Sequence, residues 1–434
     1  MSNSQLVRFS RDGDQFHYLW AARRCLQLLS PVSGVVAITI EGPSLQELSG
    51  KGAIEEGEEK IDVAEYHGSQ DLERATLVRY MQLKHSTARV ADHWTPSELK
   101  ETLIGFAKRY IAVREHPGLS PRVRLEFWFV SNRQIASDFA ETIRDVADDK
   151  LARHPDDLTK LQSFTGLAGP ELSAFCGLLR FDDKQDGYWD QRNFLAQEMN
   201  GYLVDADVDA PIQLKELVTR KATSEFAINP TITKVDVLRV LKTDERHLFP
   251  ARCLIKRIED AVPREQETDL IDKIVHAHHT PVIVHAAAGV GKSVFSSRIG
   301  RGLPAGSLSI VYDCFGNGQY RSATGYRHRH KDALVQVANE LAGLGFCHPL
   351  IPTPHADSSD YLRAFLHRLN QAVIFLKSRI PGALLCIAID AADNAQIAAE
   401  ESGNSRSFAR DLIRVRIPGE DEKDSGVNLK TIPG

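Results

Sequence analysis

Two groups of residues have the types and spacing to act on phosphate. In the C-terminal half, Ala286-Ala287-Ala288-Gly289-Val290-Gly291-Lys292-Ser293 lies between an apolar stretch at 281–285 and a helical pattern that starts at Ser293. Small residues let backbone N–H groups wrap an anion at a helix N-terminus, while a lysine reaches the outer phosphates and a hydroxyl ligates magnesium. Gly289, Val290, Gly291, Lys292 and Ser293 are therefore candidate nucleotide-binding residues. Ala286 stands where the usual pattern has its first glycine, which an alanine can replace if φ is negative. Further on, the apolar run 384–389 delivers Asp390, followed by Asp393, to the C-terminal end of a strand, where a phosphate-bridging magnesium would sit. Ser293 and Asp390 are the expected metal-side groups, and ATP with Mg2+ is the expected ligand.

In the N-terminal part, Asp62 falls in the strand-like segment 61–66, and Gln82 and Lys84 fall in another, 77–84. Side chains alternate along a strand, so Gln82 and Lys84 share a face. A carboxylate and a polar oxygen can hold a divalent ion that polarises a phosphodiester, while a lysine stabilises the attacking water or the developing charge. Glu41, closing the segment 35–41, supplies a second acid. Asp62, Gln82, Lys84 and Glu41 are thus the candidate catalytic set, with Asp62, Gln82 and Glu41 as ligands for Mg2+ or Mn2+. Glu65 falls on the opposite face from Asp62 in a regular strand and is left out.

The elements that must position these residues follow from periodicity. Phe16, Leu19, Trp20, Cys25, Leu28 and Leu29 recur at helical spacing before Ser30-Pro31 ends the run. Three strand-like segments follow, at 35–41, 61–66 and 77–84, with a charged turn at 55–60. Thr95-Pro96-Ser97-Glu98 is a helix-start signature ahead of Leu99, Leu103, Phe106 and Tyr110, and a fourth strand is expected at 123–130. The order is helix, three strands, helix, strand. Segment 135–203 reads as helical, and 210–263, with Pro211, Pro230, Pro250 and Pro263, reads as a connector. From Asp269 onward, helices alternate with strands at 281–285, 308–314 and 383–390, which predicts a parallel sheet covered by helices.

With 434 residues, 42% of them hydrophobic, the chain can bury more than one core. A formal net charge of −5 excludes a field over the whole molecule that would hold it on nucleic acid, so DNA contact must come from a local basic patch. The six cysteines have no framework spacing and read as reduced, cytosolic thiols. No signal-peptide segment or membrane-length apolar run is visible, which predicts a soluble cytoplasmic protein with no membrane partner.

The glycine-lysine-serine turn, Asp390, Asp393 and their surrounding alanines, with Tyr312-Asp313-Cys314-Phe315-Gly316-Asn317-Gly318-Gln319-Tyr320-Arg321 and Arg327-His328, resemble antiviral STAND NTPases, a P-loop family, over about 263–414. Asp62 and Gln82-x-Lys84, in the order given, resemble the Mrr-like branch of the PD-(D/E)xK nucleases, where Gln replaces the second acid, over about 13–132. The joint resemblance implies an α/β architecture: a restriction-endonuclease-like domain at 1–133, a helical extension and connector at 134–262, and an incomplete P-loop NTPase domain at 263–434. It implies an anti-phage effector in which an ATP-binding switch controls cleavage of double-stranded DNA, with homo-oligomerisation on activation. The resembling proteins continue into a sensor for a phage protein trigger, so the chain reads as a shortened form. Asn394 stands where the family often has a Glu that activates water, which favours slow hydrolysis or binding alone.

The same residues admit two other readings: an ATP-binding switch with a non-cleaving DNA-binding or adaptor domain, and a subunit of an ATP-dependent restriction system. His276, His278, His279 and His285 straddle a helix end and a strand and lack the convergence a metal needs. Arg327, Arg329 and Lys331 form a basic run with His328 and His330 that could approach phosphates or a neighbouring subunit. Lys215, Arg220, Lys221, Lys234, Arg239 and Lys242 could track a DNA backbone or simply face water.

Overall fold

The computed structural model describes residues 3–49, 53–116, 118, 123–256, 258, 262, 264–277, 281–322, 326–404, 406–413 and 430–432. His278, His279 and Pro263 lie outside them, as does 414–429. The chain is mixed α/β and divides into two compact units. The first takes the residues up to Leu29, Ser33–Met199 and Asp207–Leu241; the second takes Ser30–Val32, Asn200–Ala206 and the chain from Lys242.

The first unit is built from α1 (Asn3–Cys25), β1 (Val35–Ile40), β2 (Val63–His67), β3 (Leu77–Lys84), α2 (Lys100–Glu115), β4 (Arg124–Ser131), α3 (Ser137–Ala147), α4 (Pro155–Thr165), α5 (Gly169–Cys176), β5 (Leu179–Asp182), α6 (Tyr188–Asn200), α7 (Ala210–Lys221), β6 (Thr231–Thr233) and α8 (Lys234–Val240). Its six-stranded sheet runs β5-β4-β3-β2-β1-β6. β1 pairs antiparallel with β2 and β6, and β2 with β3, whereas β3–β4 and β4–β5 are parallel. The crossover from β3 to β4 contains α2, as a parallel connection requires.

Several expectations shift. Asp62 does not lie inside a strand, because β2 begins at Val63 and Asp62 sits on the bend before it. The stretch read as helical contains β5, whose four residues are too few to show a period, and the stretch read as a connector contributes β6. The Thr95–Glu98 box forms, with the Thr95 N–H donating to Glu98 Oε2 at 3.0 Å, but it closes a preceding turn and α2 starts at Lys100. Glu98 is instead shared with Arg89 and Arg133.

One face of this sheet packs on α2 through Tyr66, Tyr80, Phe106 and Phe127, all nearly free of solvent contact. Inside that layer lies a charge. Glu47, from the loop between β1 and β2, accepts the Tyr80 hydroxyl at 2.6 Å, the Tyr66 hydroxyl and an Arg109 guanidinium N–H, and the Glu47 and Arg109 side chains are both 0% exposed. Arg109 also donates to the Ile54 carbonyl at 2.6 Å. On the same loop Gly57, at φ 71°, abuts the Gly105 carbonyl of α2, so both a left-handed backbone and close approach demand glycine.

The second unit comprises α9 (Glu245–Leu248), α10 (Glu265–Val275), β7 (Val282–Val284), α11 (Lys292–Gly302), β8 (Leu308–Asp313), α12 (His330–Gly343), α13 (Ser358–Arg379), β9 (Leu385–Asp390), α14 (Ala392–Glu401), α15 (Phe408–Leu412) and β10 (Lys430–Ile432). All its strand pairs are parallel, but among the described residues they form two separate pairs, β7–β10 and β8–β9, where a single sheet was expected. The core lies on β8, where Tyr312 and Cys314 pack with Leu334, Val337 and Phe365 of α12 and α13. All six cysteines are free, and among the described residues no helix is long and apolar enough to cross a membrane.

Removing one side of a buried ion pair strands the other, at a cost of about 3–5 kcal/mol. Arg109→Ala should therefore lower the first unit's unfolding free energy in urea by that much, with a matching fall in midpoint, whereas Arg114→Ala, a variant of a half-exposed neighbour, should stay within ~0.5 kcal/mol of wild type. Equal midpoints for the two would show that Glu47 needs no partner.

Candidate functional site

In the first unit, antiparallel pairing brings the end of β1, the start of β2 and the end of β3 to one edge of the sheet. The Glu41 N–H donates to the Asp62 carbonyl at 2.8 Å, and the Asp62 N–H donates to the Met81 carbonyl at 2.9 Å. Glu41 leaves β1 in a left-handed conformation, φ 56°, which turns its side chain out of the strand's alternation. Asp62 Oδ2 accepts the Leu83 N–H at 2.6 Å, so the carboxylate caps the ladder where β2 begins.

Asp62, Glu41 and Lys84 are electrostatic neighbours. Burial raises the Asp62 carboxyl, against the lowering influence of His17, the Leu83 N–H, Lys84 and Lys60. Partial burial, then the charges of Asp62 and Asp14, push Glu41 up to about 7. By accessible surface the Glu41 side chain is exposed and Asp62 is half-buried, so the pair is open to an ion from solvent, and crowded carboxylates are what a cation relieves.

Gln82 lies two residues before Lys84 but is 3% exposed, and its side-chain oxygen accepts the Thr102 hydroxyl of α2. An amide oxygen has a second lone pair, so this bond does not bar it from a metal. Among the described residues no three His, Cys, Asp or Glu side chains converge on one metal position. Magnesium commonly takes only one or two carboxylates and completes its shell with water and substrate phosphate, so Asp62 and Glu41 fit it as a donor pair.

Two neighbours escaped the sequence reading, Asp14 and His17 on α1. Burial lowers the His17 imidazole below its ordinary value, with Asp62 raising it, Lys84 lowering it, Asp14 raising it, and the Leu83 carbonyl also within reach of the ring. The Leu83 N–H is thus held by Asp62, and the His17 ring lies near the same residue. The only sequence signal was position: Asp14 and His17 are one turn apart and precede the apolar face of the first helix. Glu65 is buried in a separate cluster. Burial alone would raise it, but the His67 ring 3.7 Å away, hydrogen bonds from Arg24 and the Arg24 and Arg79 charges bring it down to about 2.

In the second unit, Gly289 and Gly291 both take left-handed φ, 79° and 92°, and α11 starts at Lys292. A Cβ built on either glycine would meet no atom within 4 Å, so no other part of the protein closes over the loop at these positions. Lys292 Nζ donates to the carbonyls of Ala286 at 2.7 Å and Ala287 at 2.9 Å. Ser293 Oγ donates to Asp390 Oδ2 at 2.7 Å. Val290 lies between the two glycines, and Asp393 lies in the first turn of α14, one turn beyond Asp390.

Arg327 is placed differently from the sequence reading. It is 4% exposed and donates to the Asp313 carbonyl at 2.7 Å, the Arg252 carbonyl at 2.9 Å and Gln319 Oε1 at 3.0 Å, so its donors bind the protein's own chain and none is offered to a phosphate or a neighbour.

No protein-family model matches the chain, and no curated protein matches it. Among solved structures, the Acinetobacter baumannii Cap4 SAVED/CARF-domain containing receptor with the cyclic trinucleotide 3'3'3'-cAAA is similar at 12% identity over 91% of this chain and 94% of that one. The TM-score is 0.32, a likeness below the level that bears on fold or function.

With Glu41 titrating near 7, its neutral form dominates below that pH and its carboxylate above it. Mg2+ affinity measured by calorimetry on the wild type should rise several-fold between about pH 6 and about pH 8, and Glu41→Gln should bind more weakly with a flat profile. The same slope in both proteins would remove Glu41 from the metal site.

Proposed function

We propose that the first unit cuts double-stranded DNA with a divalent metal and that the second binds ATP with Mg2+ as a switch controlling the cut. The observation that carries this reading is the gathering of Asp62, Glu41, Lys84 and His17 at one sheet edge. The anti-phage setting, the oligomeric active state and a phage protein trigger rest on the sequence resemblance to antiviral STAND NTPases and Mrr-like nucleases.

A metal at Asp62 and Glu41 would supply Lewis-acid polarisation of the scissile phosphate. Lys84, exposed at the end of β3, is free to meet the charge that grows on the phosphoryl oxygens. His17 favours its neutral form and can accept a proton from water. In the second unit the glycine loop and the α11 N-terminus hold phosphates, Lys292 neutralises them, and the Ser293–Asp390 pair faces the metal side. Asn394 lies one residue past Asp393 and offers no carboxylate to activate water, so a bound nucleotide persists, as a switch requires.

Supercoiled plasmid incubated with the purified chain, Mg2+ or Mn2+ and ATP should be converted to cut forms, if need be with the chain fused to an oligomerising partner. Asp62→Ala and Lys84→Ala should each slow this on the order of a hundredfold. Absence of cutting by the oligomerised, ATP-loaded wild type, or equal cutting by both variants, would refute the nuclease reading and leave a DNA-binding adaptor.

A further inference from the structure

We infer that Ser296 is a positioning residue for the metal side of the nucleotide site, an assignment that rests on the ATP reading above. Asp390 is 7% exposed, at the C-terminal end of β9, and its backbone is fixed by the Cys314 N–H donating to its carbonyl at 3.1 Å. Among the described residues its carboxylate takes hydrogen bonds from two serines one turn apart on α11: Ser293 Oγ to Oδ2 at 2.7 Å and Ser296 Oγ to Oδ1 at 3.2 Å.

The two serines do different work. Ser293 spends its single proton on Asp390 and keeps its lone pairs for an ion. That arrangement holds only while Asp390 stays in place, since a rotated carboxylate would free the proton and turn the lone pairs away. Ser296 prevents the rotation by holding the other oxygen.

Its hydroxyl also lies 3.1 Å from the Lys292 carbonyl, the acceptor one turn back that a helical serine ordinarily uses. One proton serves one acceptor at a time, so Ser296 chooses between its own helix and the carboxylate, and the charged acceptor is the stronger. The neighbouring Ser297 points elsewhere, donating to the Val294 carbonyl at 2.7 Å, and provides a control.

The test uses the full chain and measures ATP affinity by calorimetry with Mg2+ and again with EDTA, taking the ratio of the two as the metal's contribution. Ser296→Ala should shrink that ratio about tenfold, the scale of one charge-assisted hydrogen bond, while Ser296→Thr and Ser297→Ala keep it. Circular dichroism melts show that each variant is folded. A wild-type ratio in Ser296→Ala, or an equal loss in Ser297→Ala, would overturn the assignment. Loss of affinity by the same factor with and without Mg2+ would also overturn it, since it would mark a purely structural serine. A wild type without ATP affinity, or Lys292→Ala binding as well as wild type, would instead overturn the nucleotide reading itself.

Discussion

A carboxylate cannot sit in an apolar layer unless donors surround it, and this requirement organises the first unit. Glu47 is met by Tyr66 from β2, Tyr80 from β3 and Arg109 from α2, which ties three elements to the loop that carries it. The loop begins at Glu41 and ends at Asp62, the two acids that face each other across the sheet edge. Anchoring its middle in the core lets its ends be set by strand pairing, so the carboxylates are crowded without being free to separate. Desolvation first, and then this proximity to Asp62 and Asp14, raise the Glu41 carboxyl.

The second unit solves a similar problem at a strand end. β8 and β9 run parallel, so Asp313 and Asp390 emerge side by side. Asp313 accepts the backbone N–H groups of Gly316 at 2.8 Å and Leu254 at 3.1 Å, which makes it a fastener for two loops. Asp390 is met only by hydroxyls among the described residues, which satisfy it without cancelling its charge, and so it remains able to attract a cation.

What could be read from sequence depended on whether the signal was local. The glycine turn, Lys292, Ser293 and the apolar run into Asp390 form contiguous patterns, and their placement on a loop, a helix start and a strand end follows from them directly. In the first unit, β3 and β4 were legible from length and composition, whereas β5 and β6 were too short to show a period. His17 and Asp14 reach the site through the packing of α1, and Arg327 is turned inward by carbonyls from a distant segment. Those placements depend on tertiary partners, which no spacing rule contains. Gln82 is an intermediate case: its face was foreseeable from alternation, but its bond to Thr102 required knowing that α2 covers that face.

The proposed control of DNA cutting by ATP binding is tested most directly by the initial rate of plasmid cleavage as ATP is raised from zero, for wild type and for Lys292→Ala. A rate that climbs with ATP in the wild type and stays at its ATP-free level in Lys292→Ala would place nucleotide binding upstream of the cut. Equal rates with and without ATP in both proteins would contradict it and leave two activities that merely share a chain.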